Sequence, residues 1–247
     1  LEPVAKTTNA LIRRVDLALE RERRTTAGIA HELRTPISEL LTVSEVALRN
    51  GHDPADSRHA LGTVRDVAGR MGGTLSTLLE LARLENRVEP IAHVDIDLGL
   101  LVRELLRAHQ SIGRERELSI DNRIGAAEMV GGDPHLLRII LSNLIGNALH
   151  YSAPHSSITC QVERNGHGWS FVIENETRDL SPSDLAKLTE PFWRKDRARA
   201  DRSHSGLGLA LSQALAEKGG LGLTFELRGQ VFRAGVSPKN GLATPGE

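Results

Sequence analysis

A histidine, a carboxylate and a hydroxyl lie close together near the start of this 247-residue chain. Glu32 follows His31 directly, and Thr35 comes one helical turn later. A neutral imidazole nitrogen is a nucleophile, and an adjacent carboxylate can accept its proton or fix its tautomer. These residue types at this spacing predict a histidine that accepts a transferred group.

The helix that carries these residues is expected to present them to solvent. Apolar residues recur at helical spacing around His31, which lies about 200° from both Ile29 and Leu33 at about 100° per residue. Thr35 is at i+4 from His31 and shares its face. Pro36 cannot donate its amide, so a kink or a loosening is expected there. This pattern suits a group that enters another domain's active site; the alternative is a surface histidine with an incidental proline.

Composition narrows the class of protein. Hydrophobic residues make up 39% and charged residues 26%, which is typical of a globular protein. The net charge of -1 gives no basic field, so no nucleic-acid partner is expected. Cys160 is the single cysteine, which excludes an internal disulfide and favours a reducing compartment. The chain opens at Leu1 in what reads as mid-helix, so we expect a piece of a longer protein.

The hydrophobic pattern predicts an N-terminal helical hairpin. Residues 7–49 read as one helix, Asn50–Pro54 as a break, and Leu61–Ala82 as a second helix with apolar steps of three and four. Each arm has one apolar stripe that the hairpin alone buries poorly. Pairing with a second copy then gives a dimeric four-helix bundle.

After residue 88 strands and helices interleave, which predicts a mixed α/β sandwich and an α+β fold class for the whole chain. Expected strands are Val94–Leu98, Leu118–Ile124, Ile158–Val162, Trp169–Ile173, Leu223–Leu227 and Val231–Val236, and expected helices are Leu100–Ile112, Pro134–Leu149 and Leu207–Lys218. The predicted division is a connector helix at 1–24, a helical domain at 25–88, an α/β domain at 93–236 and a disordered tail at 237–247.

A polar stripe interrupts the apolar helix that begins at Pro134. Asn143 and Asn147 are one turn apart, and His150 is one turn further. A pair of satisfied core asparagines is one interpretation. The other is that the Asn147 carboxamide oxygen binds Mg²⁺, which prefers oxygen ligands.

Four motifs together resemble the catalytic core of sensor histidine kinases of the HisKA type. His31–Pro36 (His-Glu-Leu-Arg-Thr-Pro) resembles their phosphoacceptor box. Asn143–Tyr151 resembles the N box that they share with the wider gyrase, MutL and histidine-kinase ATP-binding superfamily. Glu190–Arg194 resembles their Phe box, and Ser205–Ala210 resembles their second glycine box.

The resemblance implies a role for each matching residue. His31 would accept the γ-phosphoryl group of ATP, Glu32 would assist as a base, and Thr35 would position water for a phosphatase reaction. Asn147 would bind Mg²⁺ and Asn143 would support phosphate binding. The other residues implied to contact nucleotide are His150, Tyr151, Asn175, Phe192, Arg194, Lys195, Gly206, Leu207 and Gly208. For the cationic run that starts at Lys195, a solvated loop is an equal alternative.

The first glycine box departs from the Asp-x-Gly-x-Gly pattern of these kinases. Asn175 stands where the adenine-binding aspartate is expected, and Thr177 and Asp179 replace the glycines. An asparagine oxygen can still accept a hydrogen bond from an amino group. His204 also replaces a usual glycine in the second box.

We therefore expect a dimeric sensor histidine kinase that uses ATP and Mg²⁺ and passes the phosphoryl group to an aspartate of a cognate response regulator. A degenerate kinase that acts as a scaffold or mainly as a phosphatase is the alternative, because the first glycine box is altered. An ATPase that acts on DNA or client proteins and a purely structural coiled coil fit the motifs less well. We expect this fragment to be cytoplasmic and the full-length protein to be anchored in the inner membrane by segments outside this sequence.

Overall fold

The computed structural model describes residues 27–30, 33–49, 54–86, 93–165, 168–178, 180–195 and 205–239. His31 and Glu32, the predicted connector at 1–24, Asn50–Asp53, Asp179 and the tail beyond Lys239 lie outside these ranges. The chain forms two compact units, Leu1–Ser76 with Asp201–Ser205 and Thr77–Ala200 with Gly206–Glu247, so the last turns of the helix at Pro54–Asn86 belong to the second unit.

The first unit is helical, as predicted. Residues 27–30 and 33–49 are helical; the run at 33–49, here called α1, includes Pro36, and helix α2 spans Pro54–Asn86. Helix α2 begins at its proline because the fixed φ of proline suits a first helical turn. Large apolar side chains on both helices are 45% to 69% exposed in the single chain, namely Ile37, Leu41, Leu61 and Leu75. The apolar stripes of the predicted dimer are therefore open in one copy.

The second unit combines strands and helices, which confirms the predicted order of a helical region followed by a mixed α/β domain. Its described elements are β1 Val94–Asp97, α3 Leu98–Ala108, α4 Gln110–Glu115, β2 Ser119–Asn122, β3 Met129–Gly132, α5 Pro134–Tyr151, β4 Ser157–Asn165, β5 Gly168–Glu176, a 3₁₀ helix at Pro182–Lys187, α6 Gly208–Lys218, β6 Leu221–Arg228 and β7 Val231–Pro238. Strand β7 thus runs two residues past the predicted domain end at Val236.

Five strands form one sheet in the order β2-β4-β5-β7-β6, and β1 and β3 form a separate two-stranded ribbon. Strands β2 and β4 are parallel, whereas the other neighbours in the large sheet are antiparallel. The register places Asn175 on β5 between Ile158 on β4 and Phe232 on β7. The side chain of Asn175 therefore lies at the end of the central strand.

Helix α5 occupies the centre of the hydrophobic core. Leu137, Ile140, Leu141 and Ile145 on this helix have no exposed surface and belong to the core cluster, which includes residues of α3, α6 and the sheet. Cys160 is also buried, and desolvation together with the charge of Asp121 raises the pKa of its thiol to about 12. This packing fixes the orientation of α5, which carries the predicted polar stripe.

Two sequence predictions differ from the structure. The helix expected over Leu100–Ile112 is two helices, because the chain leaves helical geometry at His109. The His109 ring stays against the preceding turn through Nδ1 and the Leu105 carbonyl, 2.9 Å apart. Strand β3 was absent from the predicted elements because half of its four residues are glycine, and pairing with β1 alone makes it a strand.

Candidate functional site

Helix α5 positions the asparagines of the N box. Asp133 caps it by accepting hydrogen bonds from the amides of His135 and Leu136 at 2.9 Å and 3.1 Å, and Pro134 occupies its first turn. Both features were predicted, and they fix where the helix starts. The apolar face of α5 is buried, and Asn143 and Asn147 on its polar stripe are both half-buried.

Asn143 joins α5 to the start of α6. Its Nδ2 donates to the carbonyl of Gly208 and to the Oγ of Ser212, each at 3.0 Å. Ser212 Oγ in turn donates to the same Gly208 carbonyl at 2.9 Å. A side chain at position 208 would place its Cβ 3.1 Å from Asn143 Oδ1, so the glycine allows the close approach. The structure therefore brings the N box and the second glycine box together.

Ser212 is a residue of this network that the sequence reasoning missed. It is fully buried, and it lies one turn after Gly208 on α6. The i+4 spacing from a glycine-box residue was visible in the sequence. Its partner Asn143 is 69 residues away along the chain, however, and only the folded structure shows that contact.

Asn147 lies one turn further along α5 and is half-buried. Within the part of the chain that the structure describes, its carboxamide makes no hydrogen bond. A satisfied core asparagine would have such a partner. The Asn147 oxygen is therefore available to a ligand, and a carboxamide oxygen is a suitable donor to a hard divalent cation.

Asn175 is 3% exposed at the end of β5. Its Nδ2 donates to the Glu176 carbonyl at 3.2 Å, and its Oδ1 accepts no hydrogen bond from any described residue. The same Glu176 carbonyl accepts from the amide of Ala153 at 2.9 Å, just after α5. The ends of β5 and α5 are thus joined, with the oxygen of Asn175 left as an acceptor.

The Phe box and the second glycine box meet through their backbones. The Phe192 amide donates to the Gly206 carbonyl at 3.0 Å, and Phe192 is buried. Both residues have positive φ, +63° and +71°. A Cβ at position 206 would lie 2.9 Å from the Trp193 carbonyl oxygen, so this position requires glycine. Leu207 beside it is fully buried and anchors the junction.

Lys195 is engaged within its own segment. Its Nζ forms an ion pair with Asp184 Oδ2 of the 3₁₀ helix at 2.5 Å. The hydrogen bond from Lys195, together with those from Ser181, lowers the pKa of Asp184 to about 2. Arg194 beside it is half-buried and has an interaction of its own. A phosphate that recruited Lys195 would have to compete with Asp184.

Five further residues were predicted for the site: two at the end of α5, one on α1 and two outside the described ranges. Tyr151 is 54% exposed at the end of α5, and His150 beside it is half-buried. Thr35 is an exposed residue of α1 in the first unit. His31 and Glu32 lie outside the described residues. The roles of His31, Glu32 and Thr35 therefore remain predictions.

Two family models match the chain. Residues 21–87 match the His Kinase A (phospho-acceptor) domain, and residues 132–240 match the histidine kinase-, DNA gyrase B-, and HSP90-like ATPase family. The chain belongs to the HisKA-type histidine kinases and comprises their two core domains.

Relatives with curated descriptions agree with this assignment. Sensor histidine kinase CusS of Escherichia coli O157:H7 is 30% identical over 235 residues, covering 94% of this chain and 48% of the relative. Sensor protein VanSB of Enterococcus faecalis is 32% identical over 214 residues, covering 86% of this chain and 47% of the relative. The chain thus spans about half the length of these relatives.

Solved structures share the fold. Histidine kinase AdeS of Acinetobacter baumannii has a TM-score of 0.65 at 22% identity, covering 83% of this chain and 95% of that one. Histidine kinase ThkA, solved with response regulator TrrA, has a TM-score of 0.67 at 19% identity, covering 86% and 60%. Full-length ShkA, solved with AMPPNP, has a TM-score of 0.64 at 19% identity, covering 88% and 46%.

Across the described parts of α1 to α6, the structure contains no helix with the length and apolar character required to cross a membrane.

Proposed function

We propose that this chain is the core of a protein-histidine kinase. Its second unit binds ATP with Mg²⁺, the γ-phosphoryl group is transferred to His31, and it then passes to an aspartate of a separate response regulator. The contiguous phosphoacceptor box and the two unpaired amide oxygens of the α/β unit, on Asn147 and Asn175, are the observations that carry this proposal.

Asn175 is suited to recognise the adenine base. Asn175 is a buried residue whose Oδ1 accepts no hydrogen bond from any described residue, and the Glu176 carbonyl engages the other end of the carboxamide. The oxygen can therefore accept a hydrogen bond from the 6-amino group of adenine. Because the group is uncharged, this bond is weaker than one to the aspartate usual in this family.

Asn147 is suited to hold Mg²⁺ beside the phosphates. A half-buried carboxamide with a free oxygen fits an ion that takes oxygen ligands and retains several waters. The bound ion supplies charge neutralisation at the phosphates. Asn143 holds the amino end of α6, where backbone amides at Gly206 and Gly208 favour an anionic group.

Transfer of the phosphoryl group to His31 is a displacement reaction at the γ-phosphorus of ATP. The neutral imidazole forms a nitrogen–phosphorus bond, the bond to the oxygen bridging the β- and γ-phosphates breaks, and ADP leaves. The ring proton passes to Glu32. Positioning and electrostatic stabilisation supply most of the rate enhancement in such reactions. Thr35, four residues after His31 in the sequence, positions water for the opposing phosphatase reaction on the regulator.

Structures of related proteins support both the proposed response-regulator partner and the proposed use of ATP. ThkA was solved with a response regulator and ShkA with an ATP analogue, so related folds engage both kinds of molecule. The open apolar side chains of α1 and α2 favour a homodimer. The cytoplasmic location and the membrane anchorage of the full-length protein stay predictions.

Incubation of the purified chain with γ-labelled ATP and Mg²⁺ tests the proposal. Wild type should become labelled, with a bond that is labile in acid and stable in base, and His31→Gln should abolish the label. His59→Gln, which changes an exposed histidine of α2, is the matched control and should label normally. Labelling of His31→Gln at the wild-type level would refute the proposal.

A degenerate kinase is the second candidate, and the altered first glycine box favours it. Thr177 and Asp179 stiffen or reshape a loop where glycines are usual. Equilibrium binding of a non-hydrolysable ATP analogue separates the two candidates. Undetectable binding at millimolar analogue would favour a scaffold.

A further inference from the structure

The C-terminal end of α5 is held by an arginine from a distant turn. Arg116 lies between α4 and β2, and its Nη1 donates to the carbonyl of His150. Its Nη2 donates to the carbonyl of Ser152 at 2.7 Å. Carbonyls at the end of a helix lack intrahelical partners, and that end also favours a positive charge. The guanidinium therefore satisfies this terminus with two donors in a fixed fork.

The backbone of Arg116 and the side chain of Glu117 contact the same segment further along, at His155. The Arg116 carbonyl accepts from the amide of His155 at 3.3 Å, and Glu117 Oε2 lies 3.1 Å from His155 Nδ1. Glu117 and His155 both have left-handed backbones, with φ of +53° and +61°. Non-glycine residues in that region are strained and persist where surrounding contacts determine them. The turn thus contacts the link between α5 and β4 at both Ser152 and His155.

This arrangement has an energetic cost at the arginine itself. Arg116 Nε is buried and has no hydrogen-bond partner among the described residues. An unsatisfied buried donor costs free energy. Among the described residues, its two terminal nitrogens bond to the carbonyls of His150 and Ser152, so the guanidinium is anchored to this segment.

The segment that Arg116 contacts, residues 150–155, leads directly to the proposed nucleotide contacts. His150 and Tyr151 form its first part. Ala153 follows Ser152 and donates to the Glu176 carbonyl, which also accepts from Asn175. A shift of Ser152 would therefore move both the end of α5 and the support of the proposed adenine acceptor.

We propose that Arg116 is a positioning residue of the nucleotide site. It acts through the backbone of His150 and Ser152 and so orients the proposed contacts at Tyr151 and Asn175; it touches no substrate. The inference rests on the proposed function. Asn147, which the proposal assigns to Mg²⁺, lies a turn earlier on α5, so loss of Arg116 should impair nucleotide binding more than the rate of transfer from bound ATP.

Variants of the full 247-residue chain test this role. Arg116→Met should raise both the KM for ATP and the Kd of a non-hydrolysable ATP analogue by about tenfold or more, with kcat within about threefold of wild type. Arg116→Lys should recover part of the affinity, because one ammonium group can reach one carbonyl. Arg114→Met removes an exposed arginine of the same turn and should match wild type.

Unchanged KM and Kd in Arg116→Met, even with a lower melting temperature, would overturn the inference, as would a fall in kcat at constant KM. If Arg116→Met does not fold, Arg116→Lys decides alone: a raised KM supports the role and a wild-type KM overturns it. A wild-type chain that binds no analogue would refute the proposed function and the inference together. Binding by wild type with normal binding by the variants would refute the inference alone.

Discussion

The side-chain amide of Asn143 donates to the backbone carbonyl of Gly208 at 3.0 Å, across 65 residues of sequence. This bond joins the helix that carries the N box to the first residue of α6, which lies within the second glycine box. It explains why an asparagine stands on an otherwise apolar helix, and it assigns Asn143 a positioning role in the structure as well as the phosphate-supporting role predicted for it.

Asn143→Ala should lower the affinity for an ATP analogue by about tenfold and the free energy of unfolding by about 1–2 kcal/mol, because two hydrogen bonds to α6 are lost. Ser212→Ala should act in the same direction with a smaller effect, since Asn143 still reaches Gly208. Calorimetric titration and denaturant unfolding measure both quantities. Gln213→Ala, which removes only a bond to Glu217 on the helix surface, is the control. Wild-type binding by Asn143→Ala would exclude the positioning role.

Asn147→Ala should reduce labelling from γ-labelled ATP by about 100-fold or more, because it removes an oxygen proposed to hold the metal that stabilises the developing charge. Asn147→Asp keeps an oxygen and should need a different Mg²⁺ concentration for half-maximal activity. A magnesium titration of the labelling rate measures both effects. Arg138→Ala alters an exposed residue of the same helix and should leave the titration unchanged. A normal magnesium dependence in Asn147→Ala would contradict the metal assignment.

Thr35→Ala should leave autophosphorylation intact and slow dephosphorylation of the regulator by about tenfold or more, because the hydroxyl is proposed to position the attacking water. Thr42→Ala is matched to it, as an exposed threonine later on the same helix. The two reactions are followed separately, with labelled kinase and with labelled regulator. Equal loss of both reactions would count against this role.

Arg233→Met should destabilise the α/β unit by about 1–3 kcal/mol near neutral pH. Arg233 on β7 pairs with Glu174 at 2.9 Å and with Glu163 at 2.7 Å, and its side chain is only 18% exposed. Its hydrogen bonds lower the pKa of Glu163, so the stabilisation is present above the ordinary glutamate pKa and is lost as the pH falls through the lowered value.

Unfolding of wild type and Arg233→Met is therefore compared from neutral pH down to about pH 3, below the ordinary glutamate pKa. The difference between them should shrink with acidification. Arg138→Met, which removes an exposed partner of Glu104 on α3, is the control. A difference that stays constant with pH would show that Arg233 acts through packing alone.

Local signals in the sequence were sufficient to predict several elements. Asp133 and Pro134 predicted the start of α5 because an N-cap and a first-turn proline act within one turn. The apolar run that follows predicted a core helix, and the structure buries it. The glycine that ends α6 and the alternating strands on either side of residues 166–167 also act locally, and the structure contains those elements.

Long-range contacts were the part that the sequence did not reveal. Strand β3 is a strand because β1 pairs with it, and its own four residues have low strand propensity. Ser212 and Arg116 become significant only through partners 69 and 34 residues away. The altered first glycine box was visible in the sequence, whereas the free oxygen and the burial of Asn175 were not.

The most direct measurement is to locate the phosphoryl group. The purified chain is incubated with ATP and Mg²⁺, kept at alkaline pH, and analysed by tandem mass spectrometry with fragmentation that preserves labile phosphoryl bonds. We predict modification at His31 alone, present in wild type and absent when magnesium is chelated. Phosphorylation at a serine, threonine or aspartate instead, or none at any histidine, would contradict the assignment of His31 as the acceptor.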